Sequence, residues 1–173
     1  MSDNLDFNQD QLKEVNSIPQ FLKVLCVLTL IYISFSSLID VFSINHGELT
    51  NQEMLSIKAE MSVMVANYEK VDFQYGATCI RQLTILKEIL NGKYLAFAIL
   101  SLIINFIGVF GVMKMRNGFK IGFHLYIIYS LLYVSQNFFF ASTQYIPGIV
   151  LYFNLSISLI FIFMYSRNLK WMK

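Results

Sequence analysis

Charge is scarce in this sequence. Asp, Glu, Lys and Arg make up 14% of its 173 residues, against about 25% in soluble globular domains. The deficit is matched by 56% hydrophobic and 16% aromatic residues. A water-soluble core would intersperse its apolar side chains with polar ones at the period of a helix or strand. Here they fall into four blocks that stay apolar on every side, as a helix surrounded by lipid must. With Cys26 inside the first block and Cys79 in the long segment after it, the two cysteines exclude a disulfide framework and a paired-thiol redox site. Proline is equally rare. Pro19 and Pro147 each stand just ahead of an apolar block, where a residue lacking an N–H suits the first turn of a helix. No phosphate-binding loop, dinucleotide fingerprint or metalloprotease helix occurs. The net charge of +2, without a basic run, leaves no nucleic-acid footprint. These absences argue against an enzyme, a bound cofactor or a metal centre.

What is present is a membrane pattern. Between Lys93 and Lys114 the run YLAFAILSLIINFIGVFGVM carries no charge, and a helix of that length crosses roughly 30 Å of hydrocarbon. Lys114, Arg116 and Lys120 follow, and then IGFHLYIIYSLLYVSQNFFFA, also without fixed charge. The expected organisation is a tail over 1–19, spans over 20–43, 94–113, 121–141 and 147–166, a helical loop over 44–93, a basic turn over 114–120, a short link over 142–146 and a C-terminus over 167–173. About twenty polar residues precede the first block and no small-residue cleavage site follows it, so the block is expected to stay as an anchor. The fold expected is an all-α membrane protein, an antiparallel four-helix bundle with a helical hairpin between its first two spans.

Orientation follows from the cations. Lys13 and Lys23 precede or open the first span; Lys114, Arg116 and Lys120 follow the second; Arg167, Lys170 and Lys173 follow the fourth; the 142–146 link has none. Short basic segments stay in the cytoplasm, which places both termini inside and the 44–93 loop outside. Tyr94, Phe119, Phe123, Tyr145 and Trp171 stand at interfacial depths. The tail carries Asp3, Asp6, Asp10 and Glu14, an acidic stripe if helical. In the loop, Thr50-Asn-Gln-Glu53 has capping-box spacing, and Met54, Ile57, Met61, Met64, Val65 and Tyr68 then recur at helical intervals, predicting a helix over 51–70. Ile80, Leu83, Leu86 and Leu90 share a face ahead of the Asn91-Gly92 break, so a second helix is expected to pair with the first.

Several polar residues fall inside the spans. Cys26, Thr29, Ser36 and Asp40 make one face of the first span small and polar, and Ala98, Ser101, Asn105, Gly108 and Gly111 do the same for the second. Such faces turn towards other helices. Asp40 is the sole acid within a span, and Gln136, Asn137 and Asn154 fall at similar or somewhat greater depth. These residues with Asn105 form a candidate intramembrane cluster for an ion or polar ligand. The competing reading has Asp40 touching interfacial water and the amides stapling helices. His124 has no Cys, His or carboxylate at ligand spacing, and His46 with Met54, Met61 and Met64 reads as packing rather than a soft-metal site.

Leu22-Lys-Val-Leu-Cys-Val-Leu-Thr29 and Gly118-Phe-Lys-Ile-Gly-Phe-His-Leu-Tyr126 resemble segments of a group of small, uncharacterised four-span inner-membrane proteins of Gram-negative bacteria. The resemblance covers about a tenth of the chain and implies a location but no activity. For function, the expectation is a non-enzymatic accessory or scaffold subunit contacting the bilayer and either a protein partner or a second copy of itself. The alternative is a small oligomeric channel or carrier with a polar path past Asp40, Asn105 and Asn154.

Overall fold

The computed structural model describes residues 18–173, and the regular structure among them is helical throughout. The acidic stripe of the tail lies outside the described residues. Six α-helices follow in order: α1 Gln20–His46, α2 Asn51–Lys70, α3 Gln74–Asn91, α4 Tyr94–Arg116, α5 Lys120–Ser135 and α6 Gly148–Ser166, with 3₁₀ turns at Gln136–Phe139 and Thr143–Tyr145. Three of them, α1, α4 and α6, are long and apolar enough to cross a membrane.

Boundaries depart from the sequence expectation in three places. α1 runs on through His46 and stops at Gly47, whose φ of 82° lies in the left-handed region that glycine adopts without cost. α4 continues through Arg116, so Lys114 and Arg116 occupy its last turn, where the negative end of the helix dipole favours cations. The basic turn thereby shrinks to Asn117–Phe119. The stretch 121–141 is not one helix: α5 ends at Ser135 and a 3₁₀ turn takes over. There the Ser135 hydroxyl donates to the carbonyls of Leu131 and Leu132 at 2.7 and 3.3 Å, competing with the α-helical ladder.

α4 is the central helix, with 39% of its apolar window buried, against 28% for α1 and 6% for α6. On one side Asp40 meets Ser101 and Asn105 and Ile33 lies over Gly108, so α1 and α4 run antiparallel. On the other side α4 and α5 touch backbone to backbone. A Cβ built on Gly122 would lie 2.4 Å from the Met115 nitrogen and 2.5 Å from the Gly111 carbonyl oxygen. Leu22, Leu25, Ile33, Ile104, Val112, Met115, Phe123 and Tyr165 form the core between these helices.

α2 and α3 form the antiparallel hairpin. The capping box is formed in full: Glu53 N donates to Thr50 Oγ1 and Thr50 N donates to the Glu53 carboxylate at 2.8 Å. That backbone hydrogen bond, aided by the Thr50 hydroxyl, holds the Glu53 carboxyl below its ordinary range. Lys58–Glu88 at 2.8 Å and Arg81–Glu69 bridge the two helices, though exposed pairs contribute only about 0–1 kcal/mol each. The hairpin sits across one end of the bundle. Leu86 packs on Ala141 and Ile146, Gln82 Nε2 donates to the Gln144 carbonyl at 2.9 Å, and the Asn91 amide clasps the Leu49 backbone.

The two glycine environments predict opposite outcomes. Gly122→Val should force α4 from α5, seen as a lower melting temperature and loss of a monodisperse detergent peak. Gly92, just past the end of α3, has a φ of −66° that any L-residue adopts, with only the Ile89 carbonyl at 3.9 Å from a built Cβ. Gly92→Ala should be neutral or add about 0.4–1 kcal/mol.

Candidate functional site: a polar cluster between α1 and α4

The small residues of α4 make the site possible. Ala98, Ser101, Asn105, Gly108 and Gly111 are all buried; Gly111 faces α5, while Ser101, Asn105 and Gly108 let α1 approach closely enough for hydrogen bonds to span the gap. Asp40, near the hairpin end of α1, is 8% exposed. Its Oδ2 accepts from Ser101 Oγ at 2.7 Å and from Asn105 Nδ2 at 3.1 Å. The same Nδ2 donates to Ser36 Oγ at 3.2 Å, so a single amide of α4 joins two turns of α1. Asn105 is 1% exposed and its Oδ1 has no partner among the described residues. In a low-dielectric setting a carboxylate is retained only when donors face it, and Ser101 and Asn105 are those donors.

Beside Asp40 a groove of about 560 Å³ opens between the hairpin ends of α1, α3 and α4, with His46, Lys87, Asn91 and Tyr94 on its walls. It gives the carboxylate a route to solvent. His46 Nε2 also lies 3.8 Å from Glu53 Oε1.

The remaining predicted residues do not join the cluster. Gln136 is buried in the 3₁₀ turn after α5 with its Oε1 unpartnered. Asn137 uses its backbone carbonyl to accept from Phe140 and Ala141. Asn154, half-buried on α6, faces a separate cavity lined with tyrosines. Sequence reasoning marked the polar faces of both helices but not their pairing through Ser36 and Ser101. It also missed a chain of aromatic rings. Tyr165 and Tyr126 stand 4.7 Å apart, Tyr126 and Tyr129 5.6 Å, Tyr129 and Tyr133 5.9 Å, and Tyr133 and Tyr32 6.1 Å. The signal available was the spacing of Tyr126, Tyr129 and Tyr133 at i, i+3 and i+7.

One group of cations gathers at the opposite end from Asp40. Lys114 and Arg116 close α4, Lys120 opens α5, and Arg167 and Lys170 follow α6. The C-terminal residues fold back over this end: Lys173 N donates to the Gly118 carbonyl at 2.6 Å, and Lys120 N donates to the Lys173 carbonyl at 2.9 Å. The Trp171 ring covers Gly118, 3.2 Å from the position of a built Cβ. Gly118 has a φ of 80°, which the reversal between α4 and α5 needs. Lys114 Nζ lies over the Phe110 and Phe119 rings at 5.2 and 5.5 Å, an arrangement suited to an interface. The described acids, Asp40 and those between Glu48 and Glu88, lie at the other end.

No protein family, curated protein or solved structure matches the chain.

A double-mutant cycle tests the cluster. Asn105→Leu should cost about 1–3 kcal/mol, because it strips a donor from a buried carboxylate. Asp40→Leu combined with Asn105→Leu should recover most of that loss, since no charge is then left unpaired. Thermal unfolding in detergent reads both. Additive effects would mean that the two residues do not interact.

Proposed function

We propose that this protein is a four-span, multi-pass protein of the bacterial inner membrane with both termini in the cytoplasm, and that it acts as a non-enzymatic accessory or scaffold subunit. The span additional to α1, α4 and α6 is α5 with its 3₁₀ extension: 16 and 4 residues rise roughly 32 Å at about 1.5 and 2.0 Å per residue. The gathering of Lys114, Arg116, Lys120, Arg167 and Lys170 at one end supports the orientation. The inner-membrane location rests on that charge pattern and on the resemblance of the first and third spans.

One observation carries the accessory role. The α2–α3 hairpin stands outside the bundle, where water should force apolar side chains inward, yet it leaves Leu55 66%, Val63 60%, Val71 71% and Tyr75 56% exposed. An extramembrane surface so apolar fits a protein partner. The channel alternative is less well supported. Asp40 and Asn105 are tied into the α1–α4 contact, whereas Asn154 faces a cavity that neither of them lines.

Two experiments test this reading. A membrane-impermeant thiol reagent should label Asn117→Cys and Asp72→Cys from opposite faces of the membrane in a background without Cys26 and Cys79; same-side labelling removes the topology. Leu55→Glu with Val63→Glu should abolish a stoichiometric partner, or self-association, after mild extraction while leaving the melting temperature unchanged. A monomer that recovers no partner, with flux in liposomes sensitive to Asp40→Ala, would favour transport instead.

A further inference from the structure

A second cavity, of about 320 Å³, lies between α1, α5 and α6, within the roughly 300–1,000 Å³ typical of small-molecule sites. α6 reaches α1 through Tyr165, whose hydroxyl lies 2.9 Å from Thr29 Oγ1 and 3.2 Å from the Leu25 carbonyl that accepts from it. Beyond that contact the rings of Tyr126, Tyr129 and Tyr133 on α5 stand between the two helices and leave a wedge open. Phe153 and Phe161 of α6 complete its aromatic walls.

Some polar groups of this cavity already have partners and others do not. Thr29 is paired with Tyr165, and Tyr32 with Tyr133. The side chains of Tyr129, Asn154 and Ser158 make no hydrogen bond to a described residue. Asn154 and Ser158 stand one turn apart and share a face of α6. Within hydrocarbon an amide or hydroxyl left without a partner costs free energy, so these groups call for an occupant that can hydrogen-bond. Among the described residues no charged side chain lines the cavity, which leaves a phosphate headgroup without a counter-charge. An acyl chain would leave Asn154 unpaired, and water alone would wet the aromatic walls.

We propose that this cavity binds a lipid-soluble molecule with a flat ring bearing carbonyl or hydroxyl oxygens, of the quinone or phenol class. The ring lies against the tyrosine series of α5, and its oxygens are hydrogen-bonded by Tyr129 and Asn154. The site rests on the membrane setting of α1, α5 and α6 and not on the scaffold role, so the Leu55→Glu and Val63→Glu changes leave it intact.

The test uses the full chain in phosphatidylcholine nanodiscs titrated with a short-tailed benzoquinone, followed by native mass spectrometry and thermal shift. Expected is saturable binding of one molecule per chain, weakened about tenfold by Asn154→Leu and similarly by Tyr129→Phe, the loss of one buried hydrogen bond. Phe163→Leu, on the exposed face of α6, should change nothing. Tyr129→Phe keeps the ring and decides the matter should Asn154→Leu fail to fold. Binding that does not saturate, binding equal in all variants, or retention of phospholipid alone would overturn the proposal.

Discussion

The close approach of α1 and α5 to α4 is the constraint on which the other features depend. Lipid offers no hydrophobic drive for helices to associate, so contact has to come from backbones that fit and polar groups that meet. α4 supplies both on opposite flanks. Ser101 and Asn105 reach α1, while Gly111 meets Gly122 of α5. The core, the placement of Asp40 and the path of the hairpin across one end of the bundle all inherit this geometry. Had either flank carried Leu in place of these residues, the three helices would share apolar surface but no fixed register.

The same reasoning separates what could be read in advance from what could not. The helical class and the ends of α2 followed from local rules, because Thr50 and Glu53 act on their own neighbourhood. The stripe on α4 was equally visible as a periodicity. Its partner was not: that Asp40 and Ser36 face it, rather than Gln136 or Asn137, depends on the rotation of α1 about its axis, which no spacing within one helix specifies. The early end of α5 was hidden for a similar reason. Ser135 in an apolar run looks like a small packing residue, and nothing in its spacing marks the change from α-helix to 3₁₀ turn at Gln136.

Polar side chains among the apolar helices thus fall into distinct chemical situations. Asp40 accepts from Ser101 and Asn105 within the α1–α4 contact, which lessens the cost of burying its carboxyl group. Gln136 is buried with an oxygen unpaired in the 3₁₀ turn. Asn154 and Ser158 border open space. Treating all of these as one cluster joined residues of like character but different surroundings.

The return of the C-terminal residues onto the turn between α4 and α5 has a mechanical consequence for α6. This helix has little lateral packing, yet it is pinned at one end by the bonds between Lys173, Gly118 and Lys120 and at the other by the Ala141–Ile146 link beneath Leu86. Between those two attachments its main hold on α1 is Tyr165, so the flank carrying Asn154 and Ser158 is left bordering open space rather than packed against a neighbour.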